Sequence, residues 1–274
     1  MGLLSGKKIL VCGVANDHSM AWAIAKKAHE EGAEIALQQG TMSPDEKIMP
    51  LAQQLNATFV QKCDVQSDSD MEALFARVKK EWGSLDGLVH AIAFSNKDEL
   101  NGRYADTTRE NFKMTMDISA FSMVDMARRA SELMTNGGSM ITLTYLGGER
   151  VVPNYNVMGV AKAALESSVR YLASDFGANN IRVNAISAGP ILTKAASGVG
   201  GFRQMLKLNE SITPMRRNIT LDDIAGAALY FLSNLSSGVT GEIHYVDCGY
   251  STTGMLPNDM KEVLLKALDT EESK

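Results

Sequence analysis

Short apolar runs alternate along the chain with longer stretches whose apolar residues recur at helical spacing, and the alternation persists to about residue 247. The apolar runs predict strands at KKILVC (7–12), AEIALQ (33–38), ATFVQ (57–61), LDGLVHAIA (85–93), SMITLT (139–144), IRVNAIS (181–187) and EIHYVD (242–247). Between them the 3.6-residue period predicts helices near 20–31, 45–55, 68–81, 108–134, 155–176 and 220–234. Strands that are apolar almost throughout have both faces covered. The order therefore predicts an α/β fold, a Rossmann-type doubly wound parallel sheet of about seven strands with helices on both faces. Right-handed crossovers fix the winding.

The alternation breaks at about 190–216, a stretch rich in Gly, Met and basic residues. An excursion of this length, outside the carboxyl ends of the strands, is where a doubly wound fold places a substrate lid. No Pro/Ser-rich linker or repeat divides the rest, so residues 1–274 read as one domain. From residue 257 a short amphipathic helix is expected, with no chemistry assigned to it.

Composition narrows the function. A chain with 45% hydrophobic and 22% charged residues is an ordinary soluble globular protein. Its net charge of −5 argues against broad attraction to nucleic acid or anionic lipid. No uninterrupted apolar run of about 18 residues exists to span a membrane. The opening residues are too few for a secretory signal, and Gly6 stands where a myristoylation signal requires Ser or Thr. A cytoplasmic location is expected. Cys12, Cys63 and Cys248 are odd in number and far apart, which predicts reduced, buried thiols. The four histidines lack metal-ligand spacing, and no metal is predicted.

Candidate chemistry gathers in two places. After the first strand comes Gly13-Val14-Ala15-Asn16-Asp17-His18-Ser19-Met20-Ala21, a tight turn into a helix whose N–H groups can meet a pyrophosphate. Ser19 and Ala21 replace the further glycines of the usual fingerprint, and Ser19 adds a hydroxyl donor. Strand three leads to Asp64-Val65, where the carboxylate is either a helix cap or an acceptor for an adenine amine. Strand four ends His90 to Ser95, with Ala91 and Ala93 small enough for a ribose or nicotinamide to approach the backbone. At the end of strand two, Gln38-Gln39-Gly40-Thr41 offers neither a ribose-binding acid nor an arginine for a 2′-phosphate, so NADH is favoured over NADPH. The nearest cation in sequence, Lys47, would have to fold back to reach that place.

The second place is Thr142 to Lys162. Tyr145 lies just past strand five, while Tyr155 and Lys162 fall on the next helix. Seven residues are two turns, about 10.5 Å of rise and within about 20° of one face. An ammonium on that face lowers the pKa of a nearby phenol and favours its proton-donating or anion-stabilising role.

With G-V-A-x-x-x-S at 13–19, C-D-V at 63–65, M-D-I-S at 116–119, YLGGERVVPNYNVMGVAKA at 145–163 and RVNAISAGPI-x-T-x-A-A-S-G at 182–198, the chain resembles the short-chain dehydrogenase/reductase superfamily. Within it, the resemblance is to the enoyl-acyl-carrier-protein reductases of bacterial fatty acid synthesis. Most of the superfamily has its Tyr and Lys four residues apart; position 158 here is Met, and the seven-residue spacing stands instead, which argues against a ketone-reducing member.

The resemblance implies NADH-dependent reduction of a trans-2-enoyl thioester borne by an acyl-carrier protein. It also implies a homotetramer. By it Tyr155 lies at the thioester carbonyl, Tyr145 is its partner and Lys162 orders the cofactor. The cofactor shell becomes Gly13, Ala15, Ser19, Met20, Gln39, Gly40, Asp64, Val65, Ile92, Lys162, Ile191, Leu192, Thr193, Lys194 and Ala195. An apolar acyl groove is expected from Phe94, Ser95, Tyr145, Tyr155, Met158, Phe202, Met205 and Met215. The cations Lys194, Arg203, Lys207, Arg216 and Arg217 are candidates to receive an acidic carrier or its phosphopantetheine.

Overall fold

The computed structural model describes residues 2–41, 43–191 and 202–254, without the side chains of Phe202 and Arg203. Seven parallel strands form one sheet in the order β3-β2-β1-β4-β5-β6-β7. They are β1 (Lys8–Cys12), β2 (Glu34–Gln39), β3 (Val60–Lys62), β4 (Gly87–His90), β5 (Gly138–Thr144), β6 (Ile181–Ala188) and β7 (Ile243–Val246). All seven expected strands form. The strand order reverses between β1 and β4, the switch point at which a doubly wound sheet opens a crevice beyond its carboxyl ends.

Alternation along each strand divides the core. Ile9 and Val11 of β1 join α1 (Met20–Glu30), α2 (Asp45–Gln54) and α8 (Leu221–Leu232) on one face. Leu10 and Cys12 join α3 (Asp68–Trp82), α5 (Ser122–Ser131) and α6 (Asn156–Phe176) on the other. All three cysteines are free and buried. Short polar side chains start several helices. Ser67 caps α3 by accepting from the Asp70 N–H, and Thr220 and Asp223 close a reciprocal capping box on α8.

Three boundaries differ from the periodicity, each for a local reason. Pairing of β4 stops at His90, because the chain beyond it turns to meet Gly13. The helix expected over 108–134 is α4 (Arg109–Met116) and α5, joined by a π turn at Asp117–Phe121. There Ser119 Oγ accepts from the Phe94 N–H at 2.9 Å and donates to Phe94 O at 3.0 Å, tying the widened turn to the strand-four loop. Within the expected lid, residues 202–212 form α7 (Phe202–Ile212), while 192–201 lie outside the described residues. So does the helix expected from residue 257.

Phe231 of α8 is fully buried and packs edge-on against Tyr230 and His244. Phe231→Ala removes that ring from a dense core and is expected to cost about 3–5 kcal/mol, read as a lowered thermal or urea midpoint.

Candidate active site

At the crevice, β1 hands the chain to Gly13 at φ +91°, and a Cβ there would lie 2.2 Å from the Ala91 carbonyl oxygen. Only glycine lets the ends of β1 and β4 approach so closely. The Gly13 N–H donates to Gln38 Oε1 at 3.0 Å, and Gln38 Nε2 donates to Cys63 O at 2.8 Å. One buried amide thus stitches together the ends of β1, β2 and β3. This bracing role of Gln38 escapes a reading of the chain alone, where the available signal is a polar side chain in an otherwise apolar strand.

Ser19 caps α1. Its Oγ accepts from the Trp22 N–H at 3.2 Å and donates to Asn16 O at 2.7 Å. The hydroxyl expected as a ligand donor is therefore engaged by the cap, and the N–H groups of Met20 and Ala21 form the open, positive end of the helix. This glycine cradle and helix end fit a dinucleotide pyrophosphate. Met20 and Ile191 lie partly buried against the core, and Ala15 is exposed at the loop.

At the end of β3, Ser67 and not Asp64 is the helix cap. Asp64 Oδ1 accepts from the Gln66 N–H at 3.0 Å, which leaves its second oxygen for a ligand amine. Val65 and Ile92 flank that end of the crevice, partly buried. Gln39 is buried, and its Nε2 donates to Ser43 O at 2.6 Å and to Asp45 Oδ1 at 2.8 Å, while Gly40 has open space beside it. A cation at the end of β2 is Lys62, the register partner of Gln39. Lys62 Nζ pairs with Asp45 at 2.8 Å.

Across the switch point, Tyr145 follows β5 and Tyr155 immediately precedes α6. Their rings meet edge-on with centroids 4.9 Å apart. The short turn Leu146–Gly148 makes this possible. A Cβ at Gly147 would sit 2.4 Å from Tyr155 Cδ1, and one at Gly159 2.7 Å from the Gly147 carbonyl oxygen. Lys162, two turns along α6, is 5% exposed and donates from Nζ to Leu143 O at 2.8 Å.

Burial dominates the electrostatics of these groups. It pulls the Lys162 ammonium down to about 8, against the opposing influence of Glu166. It also pushes the Tyr155 phenol well above its ordinary value, with Tyr145 and Glu166 adding to the shift, and raises Tyr145 to about 12. The depression of the phenol expected from a neighbouring ammonium does not occur: desolvation, Tyr145 and Glu166 all raise it. Both tyrosines remain neutral O–H donors near pH 7. The Glu166 carboxyl, accepting from Thr144 Oγ1 at 2.7 Å, is likewise shifted up by burial.

His90, fully buried at the end of β4, has Nδ1 2.8 Å from Thr142 Oγ1 and Nε2 2.8 Å from Ser122 Oγ. Ser122 Oγ also donates to Ile118 O at 2.7 Å, and Thr142 Oγ1 lies 3.2 Å from His90 O. Desolvation holds the imidazole neutral, down to about 3.

Among the expected groove residues, Phe94 is partly buried beside a cleft of about 570 Å³ that Met114 also lines. Ser95 lines the same cleft, but its hydroxyl is engaged. It is buried, and its hydroxyl meets Thr115 Oγ1 at 2.9 Å and Asn111 at 3.3 Å, so it braces α4. Met158 is buried on α6, Met205 is partly buried on α7, and Met215 is exposed. The side chain of Phe202, and Leu192, Thr193, Lys194 and Ala195, fall outside the described residues. Of the cations, Lys207 is exposed, Arg216 donates to Ser211 O, and Arg217 is committed to Asp223 at 2.6 and 3.0 Å.

Gly147→Ala is expected to displace the Tyr155 ring and lower kcat by about 10²-fold, as loss of one preorganised donor does, with nicotinamide cofactor binding by fluorescence titration retained.

Comparisons with known proteins bear on the family of the chain. The family model described as "Enoyl-(Acyl carrier protein) reductase" matches residues 13–251. "Enoyl-[acyl-carrier-protein] reductase [NADH] 1" of Rhizobium meliloti (strain 1021) is 54% identical over 262 residues, 96% of either chain. The corresponding FabI of Rickettsia felis is 52% identical, over 92% of this chain and 97% of its own. The reductase of Anaplasma phagocytophilum, solved with NAD, superposes with a TM-score of 0.90 at 52% identity, covering 93% of this chain and 98% of that one. That of Bacillus cereus, solved with NADP+ and an indole naphthyridinone, gives 0.91 at 47% identity, covering 93% and 100%. By sequence along nearly its whole length and by fold, the chain belongs to the enoyl-[acyl-carrier-protein] reductase family.

Proposed function

We propose that the chain is an NADH-dependent enoyl-[acyl-carrier-protein] reductase of fatty acid biosynthesis, with Tyr155 as the donor to the thioester carbonyl. The reading rests above all on the enclosed Tyr145–Tyr155 pair beside the glycine cradle and helix end that suit a dinucleotide. Bound NADH supplies a hydride to the β-carbon of the trans-2-enoyl thioester, and the displaced π electrons move onto the carbonyl oxygen as an enolate.

Tyr155, a neutral phenol, donates to that oxygen as its charge develops, and Tyr145 sets the edge of its ring. Protonation of the α-carbon then gives the saturated thioester. The N–H groups of Met20 and Ala21 would receive the pyrophosphate, with Gly13 allowing its close approach, while Asp64 would take the adenine amine and Lys162 would reach the nicotinamide ribose. NADH is preferred because Lys62, the cation beside the end of β2, is already neutralised by Asp45, whose carboxylate repels a 2′-phosphate. An acidic carrier protein docks by Lys207 on α7. The enzyme works in the cytoplasm as a homotetramer. Among the described residues no helix is long and apolar enough to cross a membrane.

The decisive assay follows NADH or NADPH oxidation with crotonyl and β-ketoacyl thioesters. Turnover of crotonyl thioester with NADH is expected; oxidation with the β-ketoacyl thioester alone overturns the assignment. Tyr155→Phe, which removes only the donor, is expected to lower kcat by about 10²–10³ while NADH binding stays within a few-fold. The Lys162 ammonium is charged below about pH 8 and neutral above it. Activity is therefore expected to fall as pH rises through that value, and a pH–rate profile with no falling limb between 7 and 10 contradicts the role given to Lys162.

A further inference from the structure

Tyr155 lies between two asparagines in the left-handed region, Asn154 at φ +61° and Asn156 at φ +38°. Asparagine tolerates this region better than other side-chain-bearing residues, yet two such residues around a single position form a strained segment. Strain of this kind persists only where the surroundings over-determine the backbone.

The Asn156 side chain supplies the constraint. Its Nδ2 donates toward Leu100 O at 3.1 Å, Gly102 O at 3.3 Å and Glu99 O at 3.5 Å, more than fifty residues away in sequence. The two amide protons are shared by three carbonyls that converge on them. The segment carrying those carbonyls is itself closed into a unit. The Glu99 carboxylate accepts from Thr108 N–H at 2.9 Å and from Thr108 Oγ1 at 3.0 Å. The Asn96 N–H donates to Asn111 Oδ1 at 3.0 Å, and Asn96 Oδ1 accepts from the Asp98 N–H at 3.2 Å. The same stretch, Phe94 to Glu99, lines the cleft beside Phe94.

We infer that Asn156 is a positioning residue, a latch by which the docked 99–102 segment holds the backbone around Tyr155 in the strained form that sets its ring against Tyr145. Undocking the segment releases the amide, and the backbone at 154–156 relaxes and carries the phenol away from its neighbour. Placement of the phenol and closure of the cleft wall are then one event, driven by an acyl chain that presses on the segment. This rests on the reading of Tyr155 as the donor to an enoyl thioester.

Two variants separate the latch from ordinary packing. Asn156→Gly keeps the positive φ accessible and removes the amide. Asn156→Asp keeps the shape but turns a carboxylate oxygen toward three carbonyls. Steady-state kinetics with crotonyl and dodecenoyl thioesters are measured at pH 5.5 and 8, with NADH affinity from fluorescence. Both variants are expected to lose at least ten-fold in kcat/KM for the long substrate, lose less for the short one, and hold NADH affinity within two-fold.

For the Asp variant, whose carboxyl is raised above its ordinary value of about 3.9 by the three carbonyls it faces, the deficit relative to the unsubstituted enzyme is expected to shrink from pH 8 to pH 5.5 as a protonated carboxyl again donates; for the Gly variant it stays constant. Should the Asp variant fail to fold, the Gly variant decides alone. The latch is overturned if the folded Gly variant keeps kcat/KM within two-fold, or if NADH affinity and both substrates fall together. Failure of the underlying reading shows separately, as absence of enoyl turnover in the unsubstituted enzyme.

Discussion

The close approach of the Leu146–Gly148 turn to the start of α6 is the constraint on which the candidate site depends. A turn backbone can lie within van der Waals contact of a helix and a tyrosine ring only where no Cβ intervenes, and Gly147 and Gly159 remove it from both partners. With that gap closed, Tyr145 at the end of β5 and Tyr155 before α6 are forced edge to edge. Two residues carried by different elements are thereby brought into contact. The sheet fixes where the two elements begin, and the glycines fix how near they come.

The same enclosure sets the proton chemistry. A phenol taken out of water is harder to ionise and an ammonium taken out of water is easier to deprotonate, and both shifts occur here. A neutral donor suits a transition state in which charge appears on oxygen and is then quenched at carbon. A preformed phenolate would oppose it.

Much of this was legible in the chain. Seven strands and six helical stretches, one of them broken into α4 and α5, follow from period and apolar runs, because a parallel sheet covered on both sides leaves a strong signal in each strand. Helical arithmetic places Tyr155 and Lys162 on one helix face, but Tyr155 precedes α6 and is flanked by Asn154 and Asn156 at positive φ, so the spacing alone does not fix their relation. Other features escaped because they depend on contacts distant in sequence. The π turn at Asp117–Phe121 looks like uninterrupted helix, since its cause is the Phe94 backbone bound by Ser119. Periodicity alone cannot distinguish Ser67 from Asp64 as a cap, or show that Ser95 turns into α4. The amide of Asn156 finds its acceptors only once the 99–102 segment has folded over it.

Buried His90 carries a consequence of its own. A neutral imidazole has one protonated and one bare nitrogen, yet each nitrogen here faces a hydroxyl with a carbonyl also within reach. Whichever nitrogen is bare, the hydroxyl beside it must swing its proton from the carbonyl to the ring. Two mirror-related arrangements of protons thus fit one set of heavy atoms, and exchanging them reverses the direction of the hydrogen-bonded string that runs from β5 through the ring to the π turn. One set of heavy-atom positions around His90 thus accommodates either direction.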